Sequence, residues 1–342
     1  ITLFVIATPL FANRYYRDPR AGAIAFIVFL CGWGFGVIFS NLYQMRGLLH
    51  VIAFPSFFVF SLTLLLLWQA LGILRSDRLN YLSLLVLSLL VAIAYTSHPL
   101  TGAFAIGSLI LLALLEPDAV FAHRVYLAVA VSIGAVLVEF WPYFSTWDIV
   151  LGVNRSADGS SWLEHNELIS GFSRPVSLAL EHPFYRISDV MSALGPAFFG
   201  IPVIVYFLAT RRQLFIAIGA TLMLVPYLVN IVFPIPLGHR FLLFFILFLH
   251  LALIWLMLYI LGNGRQDESS DSRCRYLVAG FLGFILLWNI GLTGAEIVKT
   301  LLIKHGLISS RNHTVTDVVP LMNAIAERIP EDAVVMAPLY LS

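Results

Sequence analysis

Leu79–Leu115 reads LNYLSLLVLSLLVAIAYTSHPLTGAFAIGSLILLALL, almost wholly apolar except at its middle. As one helix rising about 1.5 Å per residue it would exceed about 50 Å, against a hydrocarbon core of about 30 Å. It therefore has to be two helices. The break falls at Ser97-His98-Pro99, because proline disfavours the helical conformation in the residue before it. Two short apolar helices joined by a polar turn predict a helical membrane protein that crosses the bilayer more than once.

Composition agrees. Of 342 residues, 60% are hydrophobic and only 11% are charged, where a soluble domain carries about 25% charged residues. The net charge of +1 argues against a nucleic-acid partner. The two cysteines, Cys31 in an apolar run and Cys274 in a polar one, read as unpaired. No signal peptide is visible, Ile1 starts inside an apolar run, and Ser342 follows a strand pattern. The sequence thus reads as an internal piece of a longer protein.

Scanning outward for runs of about 17 to 25 apolar residues gives ten spans and an all-α polytopic membrane fold. The first, Ile1 to Ala12, is truncated. The next five are Ala21 to Phe39, His50 to Leu74, Leu79 to Thr96, Pro99 to Leu115 and Val125 to Phe144. The last four are Met191 to Thr210, Leu214 to Val232, Phe241 to Gly262 and Tyr276 to Ala295. Between the sixth and seventh lies the polar passage Ser145 to Val190, too polar to cross a bilayer and too long for a turn. Residues 1–296 thus form a transmembrane helical domain with one long loop, 145–190. Residues 297–342 open a soluble α/β domain, with a helical pattern over Asp317–Ile329, a stop at Pro330 and a buried-strand pattern over Ala333–Ala337.

Arginines set the orientation. One set of alternate loops carries eleven: Arg14, Arg17, Arg20, Arg75, Arg78, Arg124, Arg211, Arg212, Arg265, Arg273 and Arg275. The other short loops carry two, Arg46 and Arg240. The Arg-rich set is expected in the cytoplasm, which puts the long loop, the His98 turn, the Pro234–Arg240 turn and the C-terminal part outside.

Most acids and histidines not explained by the inner loops then gather on the outer face. His98, in Thr96-Ser-His-Pro-Leu-Thr-Gly102, sits in a recessed turn suited to a phosphate or sugar hydroxyl, or merely to satisfying helix ends. Arg240, beside His239, runs against the orientation rule. A lipid-linked phosphate would justify it, because guanidinium binds phosphate oxygens in a fork; snorkelling to headgroups is the plainer account. Glu139, near the outer end of an apolar helix, faces a cavity or pairs with Arg46 or Arg240. The loop acids and histidines, Glu164-His165-Asn166-Glu167 among them, match no metal-ligand spacing, so no cofactor or metal is called for and a divalent ion is unsupported. His250 reads as a packed histidine too deep to be a ligand. Asn154 and Asn312 match the short glycosylation pattern, which recurs by chance.

This layout resembles the GT-C superfamily of membrane glycosyltransferases: many spans, short inner loops, a long outer loop and an outer soluble domain opening near Pro330-Glu-Asp-Ala-Val-Val-Met-Ala-Pro338. Ser97-His98-Pro99-Leu-Thr101-Gly and Gly238-His-Arg240-Phe are similar to the polar turns that such proteins hold on their outer face. The resemblance implies sugar transfer from a polyprenyl-phosphate carrier to an acceptor at the extracytoplasmic surface. It also implies an acidic general base in the first outer loop, which here falls upstream of Ile1, so no catalytic residue is assigned. The phosphate then falls to Arg240, His98 and Arg46, supported by Glu139 and His239. Trp141, Tyr143, Trp147 and Trp162 stand on the correct side to be platforms for sugar or acceptor, or to be interfacial anchors. The competing readings are a transporter or lipid flippase, which the scarcity of deep charges and the lack of an internal repeat disfavour, and a non-catalytic assembly subunit.

Overall fold

A computed structural model of the chain describes residues 1–34, 55–76, 79–141, 187–232, 240–263 and 268–304. Among them there is no strand. The helices are α1 (Thr2–Tyr16), α2 (Ala21–Cys31), α3 (Pro55–Leu74), α4 (Tyr81–Ser97), α5 (Pro99–Leu115) and α6 (Phe121–Val138). They continue with α7 (Ile187–Leu194), a 3₁₀ turn (Gly195–Phe199), α8 (Gly200–Thr210), α9 (Leu214–Val232), α10 (Phe241–Asn263) and α11 (Glu268–Lys304). Two compact units divide the chain, Ile1–Asn289 and Ile290–Ser342. The first holds everything described below. Of the second, the described part is the C-terminal end of α11; the strand predicted at Ala333–Ala337 lies outside the described residues, as does the long loop up to 186.

The apolar helices make this a membrane-embedded protein. Four of them are long and apolar enough to span: Pro55–Leu74, Phe121–Val138, Phe241–Gly262 and Arg275–Ala295. A fifth arises if Gly195–Thr210 and Leu214–Asn230, bent by 117° at their junction, count as one span. That compares with ten expected. The difference has named causes. Helices α4 and α5 are confined to 17 residues each, about 25 Å, and α2 stops at Cys31 rather than running to Phe39. The Met191–Thr210 run is cut by the 3₁₀ turn, where Gly195 has φ of +48° and lies so close to Gly34 that a Cβ would sit 2.4 Å from its Cα. Only glycine meets both demands.

Two helices carry the core. α3 and α10 are apolar all round and mostly buried, as helices surrounded by other helices are. α1, α4 and α5 pack on α3, while α2, α8 and α9 pack on α10. Hydroxyls on α3 are neutralised within the helix: Ser61 donates to the Phe57 carbonyl (2.9 Å) and Thr63 to that of Val59 (2.8 Å), the usual fate of a hydroxyl in an apolar helix. α6 and α11 turn most of their surface outward.

α2 ends in mid-unit, which leaves carbonyls that an apolar surround cannot satisfy. Five of those at the break, on Val28, Phe29, Cys31, Gly32 and Trp33, meet a donor. Gly32 N–H bonds to Val28 O (2.8 Å) and Ala197 N–H to Gly32 O (3.1 Å). The Trp33 indole donates to Phe29 O (2.8 Å), Asn289 Nδ2 to Cys31 O (2.8 Å) and the Trp288 indole to Trp33 O (3.3 Å). The His250 ring lies edge-on to Trp33, centroids 5.1 Å apart, and is fully buried. It is a packed core histidine, as expected.

Candidate functional site

The turn between α4 and α5 forms where proline requires it. Pro99 occupies the first helical position of α5, and His98 caps that helix. The Thr101 amide donates to His98 Nδ1 (3.2 Å), and the Thr101 hydroxyl lies 2.9 Å from the same nitrogen. A Cβ on Gly102 would come 2.5 Å from Tyr95 Cα, so the TSHPLTG sequence encodes a close reversal. With Nδ1 accepting the amide, the proton of the neutral ring sits on Nε2.

Arg240 precedes α10 at the same end of the unit. His98 has its pKa lowered from 6.5, first by burial and then by the positive charge of Arg240. Arg240 is thus near enough for its charge to act on His98, and burial and that charge together favour the neutral ring. Directly below them α5, α9 and α10 enclose an apolar cavity of about 230 Å³. Leu100 and Phe241, the second residue after His98 and the first after Arg240, line its mouth, with Phe104, Leu222, Met223 and Phe244 further in. Phe104 and Phe244 stack there at 4.0 Å.

Glu139 follows the last residue of α6. α6 runs parallel to α4: Tyr126 near its start donates to Asn80 O at the start of α4. Glu139 is therefore at the His98 end, half-buried. Trp141, 43% exposed, follows it. Arg46, His239, Tyr143, Trp147 and Trp162 lie outside the described residues. Among the described residues no group of three metal-ligating side chains occurs.

The opposite end holds a polar site that the sequence reading left among ordinary loop charges. Arg75 forks onto Glu116, Nε to Oε1 at 2.8 Å and a terminal nitrogen to Oε2 at 3.1 Å. It also donates to the Arg14 and Tyr15 carbonyls that close α1. Arg124 does the same for α5, bonding Leu114 O (2.6 Å) and Glu116 O (2.9 Å). Arg17 pairs with Asp118, and Asp18 with Arg20. Arg14 lies 4.6 Å over the Trp68 ring. Arg17, Arg75 and Arg211, from three of the loops assigned to one side by charge, line one cavity of about 590 Å³ together with Gln213. Pro117, which stops α5 beside an acid, was the available signal.

No family model, curated protein or solved structure matches the chain.

Proposed function

We propose that the chain is a GT-C-like glycosyltransferase that moves a sugar from a polyprenyl-phosphate carrier to an acceptor on the extracytoplasmic face. One observation carries this reading: a neutral histidine and an arginine, close enough for charge to couple them, stand over an apolar cavity between helices. That arrangement suits a ligand with an anionic head and an apolar tail. When the sugar–phosphate C–O bond breaks, the bonding electrons pass to the phosphate, whose charge rises. Arg240 meets it with a fork of N–H donors, and His98 adds its Nε2–H. Glu139 orients one of these bases. Arg46 and His239 complete the anion site, and Trp141, Tyr143, Trp147 and Trp162 offer ring faces to sugar or acceptor. The acceptor's proton passes to an acidic general base, a role to which no residue of the chain is assigned. In this reading the Arg-rich end is cytoplasmic, and residues 297–342 open an outer α/β domain.

The test uses membranes containing the chain, a polyprenyl-phosphate-linked labelled sugar and a panel of acceptors. Loss of a charged phosphate contact in a low-dielectric site costs about 2 to 4 kcal/mol, so Arg240→Ala lowers turnover roughly 30- to 1000-fold. Arg240→Lys restores part, a point charge without the fork. Wild-type turnover in Arg240→Ala would sink the phosphate assignment. Cysteines placed at Gly159 and Ser310 react with an impermeant thiol reagent from outside, and those at Ser76 and Ser269 do not; the reverse pattern removes the outer site.

A transporter or flippase is the second reading, favoured by a helix that ends at Cys31 inside the unit beside a deep histidine, since helix ends within the bundle line many transport sites. Passage of the lipid-linked sugar across vesicle membranes without any acceptor would select it.

A further inference from the structure

The polar cavity at the arginine-rich end has an apolar neighbour of about 610 Å³ between α8, α10 and α11. Both volumes fall within the usual range for ligand pockets, about 300 to 1,000 Å³. Trp255 and Tyr259 line both cavities, and their rings stack at 5.0 Å and 14° to form the shared wall. Tyr206 packs on Trp255 from the apolar side, 5.9 Å between centroids. Aromatic side chains at this level of a membrane protein mark the headgroup region.

Charge pairing around the polar cavity leaves a remainder. Glu116 is taken by Arg75, Asp118 by Arg17, and Asp18 by Arg20. Arg211, exposed at the α8–α9 turn, meets no carboxylate among the described residues. Its neighbour Arg212 reaches over the other cavity, with its guanidinium 3.5 Å from the Tyr206 hydroxyl. The arginine pair therefore straddles the wall, polar cavity on one side and apolar cavity on the other.

The backbone carries a second mark. Among the described residues, Arg17, Arg211 and Gln213 are the non-glycine residues with positive φ, at 56°, 56° and 44°. All three line the polar cavity. Glycine would suit each of these conformations better, so the side chains are retained at a conformational cost. Gln213 is fixed by the Tyr15 hydroxyl at 3.0 Å. Arg211, which also lines the cavity, has no such hydrogen bond and no carboxylate partner among the described residues.

We infer that the Arg211–Arg212 turn and the cavities on either side of the Trp255–Tyr259 stack bind one anionic phospholipid, its phosphate on Arg211 and an acyl chain in the apolar cavity. The amphipathic pair of cavities calls for an amphipathic occupant, and the leftover positive charge calls for an anionic head. The site is separate from the His98–Arg240 end, since α10 runs between them, and it does not depend on the transferase reading.

The experiment is native mass spectrometry of the purified full chain in detergent, with equal amounts of phosphatidylglycerol and phosphatidylcholine of identical acyl chains. Phosphatidylglycerol is retained about tenfold over phosphatidylcholine, the yield of one charge-assisted contact. Arg211→Gly removes the guanidinium while suiting the positive φ, and brings the two lipids near parity. Arg212→Gln, an exposed change that leaves the turn intact, lowers the preference in part. Leu277→Trp, which fills the apolar cavity, lowers retention of both lipids. Equal retention of the two lipids by the wild-type chain overturns the proposal, as does a preference that survives Arg211→Gly combined with Arg212→Gln. Displacement of phosphatidylglycerol by inorganic phosphate alone assigns the site to a soluble anion and also overturns it.

Discussion

The two ends of the Ile1–Asn289 unit spend their charges differently. At the arginine-rich end, carboxylates meet guanidiniums, and guanidiniums close the carbonyl ends of α1 and α5. At the other end, the described coupling is between two bases, Arg240 acting on His98 so as to make its protonation harder. Opposite charges brought together hold a fold. A neutral imidazole within reach of a guanidinium's charge offers, together with it, N–H donors to an anion, which is why the His98 end reads as a binding site and the ion pairs read as a clamp.

Breaking the clamp gives the largest effect. Glu116 is 4% exposed and Arg75 18%, so Glu116→Ala strands a buried guanidinium and costs about 3 to 5 kcal/mol. Unfolding in detergent–SDS mixtures measures the loss, and a change below about 1 kcal/mol would make this pair no different from a surface one. At the far end, Gly107 lines the apolar cavity and has open space where a Cβ would go. Gly107→Leu therefore leaves stability intact but fills the space assigned to the lipid tail, lowering turnover of a polyprenyl-linked substrate about tenfold, about 1.4 kcal/mol. If stability falls instead, the cavity is part of the packing.

The cap and the charge of His98 separate by substitution. His98→Ala loses the cap of α5 at about 1 kcal/mol, whereas His98→Asn keeps an acceptor for the Thr101 amide and loses little. The folded chain disfavours a proton on His98 and the unfolded chain does not. Stability from this group is therefore complete above pH 6.5 and falls as pH drops from 6.5 toward the lowered folded value. His98→Asn removes that dependence; its persistence in the variant would assign it elsewhere. The smallest effect is at the rim of the clamp, where Arg17 and Asp118 are 60% and 51% exposed. Asp118→Asn costs less than about 1 kcal/mol and nothing at high salt, and unfolding measured at two ionic strengths sets it apart from Glu116→Ala.

The helix break at His98 was legible because proline acts on its neighbour wherever the chain goes. So was the gathering of Arg14, Arg17, Arg75 and Arg211 at one end, since charge alone assigns alternate loops to one side. The end of α2 was not. Ala21–Phe39 is apolar throughout, and what stops the helix at Cys31 is donors from Ala197, Trp288 and Asn289, far along the chain. The burial of Glu116 was hidden for the same reason: its partner Arg75 stands 41 positions earlier, and a loop acid carries no sign of whether water or protein surrounds it. Local chemistry was readable, and partners at long range were not.

The end of α2 at Cys31 also sets a schedule. Cys31 O and Trp33 O receive their hydrogen bonds from residues 258 and 255 positions later. At a synthesis rate of about 5 to 20 residues per second, the donors emerge roughly 13 to 50 s after the carbonyls. A bare carbonyl in hydrocarbon costs several kcal/mol. For that interval the Gly32–Gly34 backbone needs shelter in water or against another protein, so the start of the chain completes its insertion only after α11 has been made.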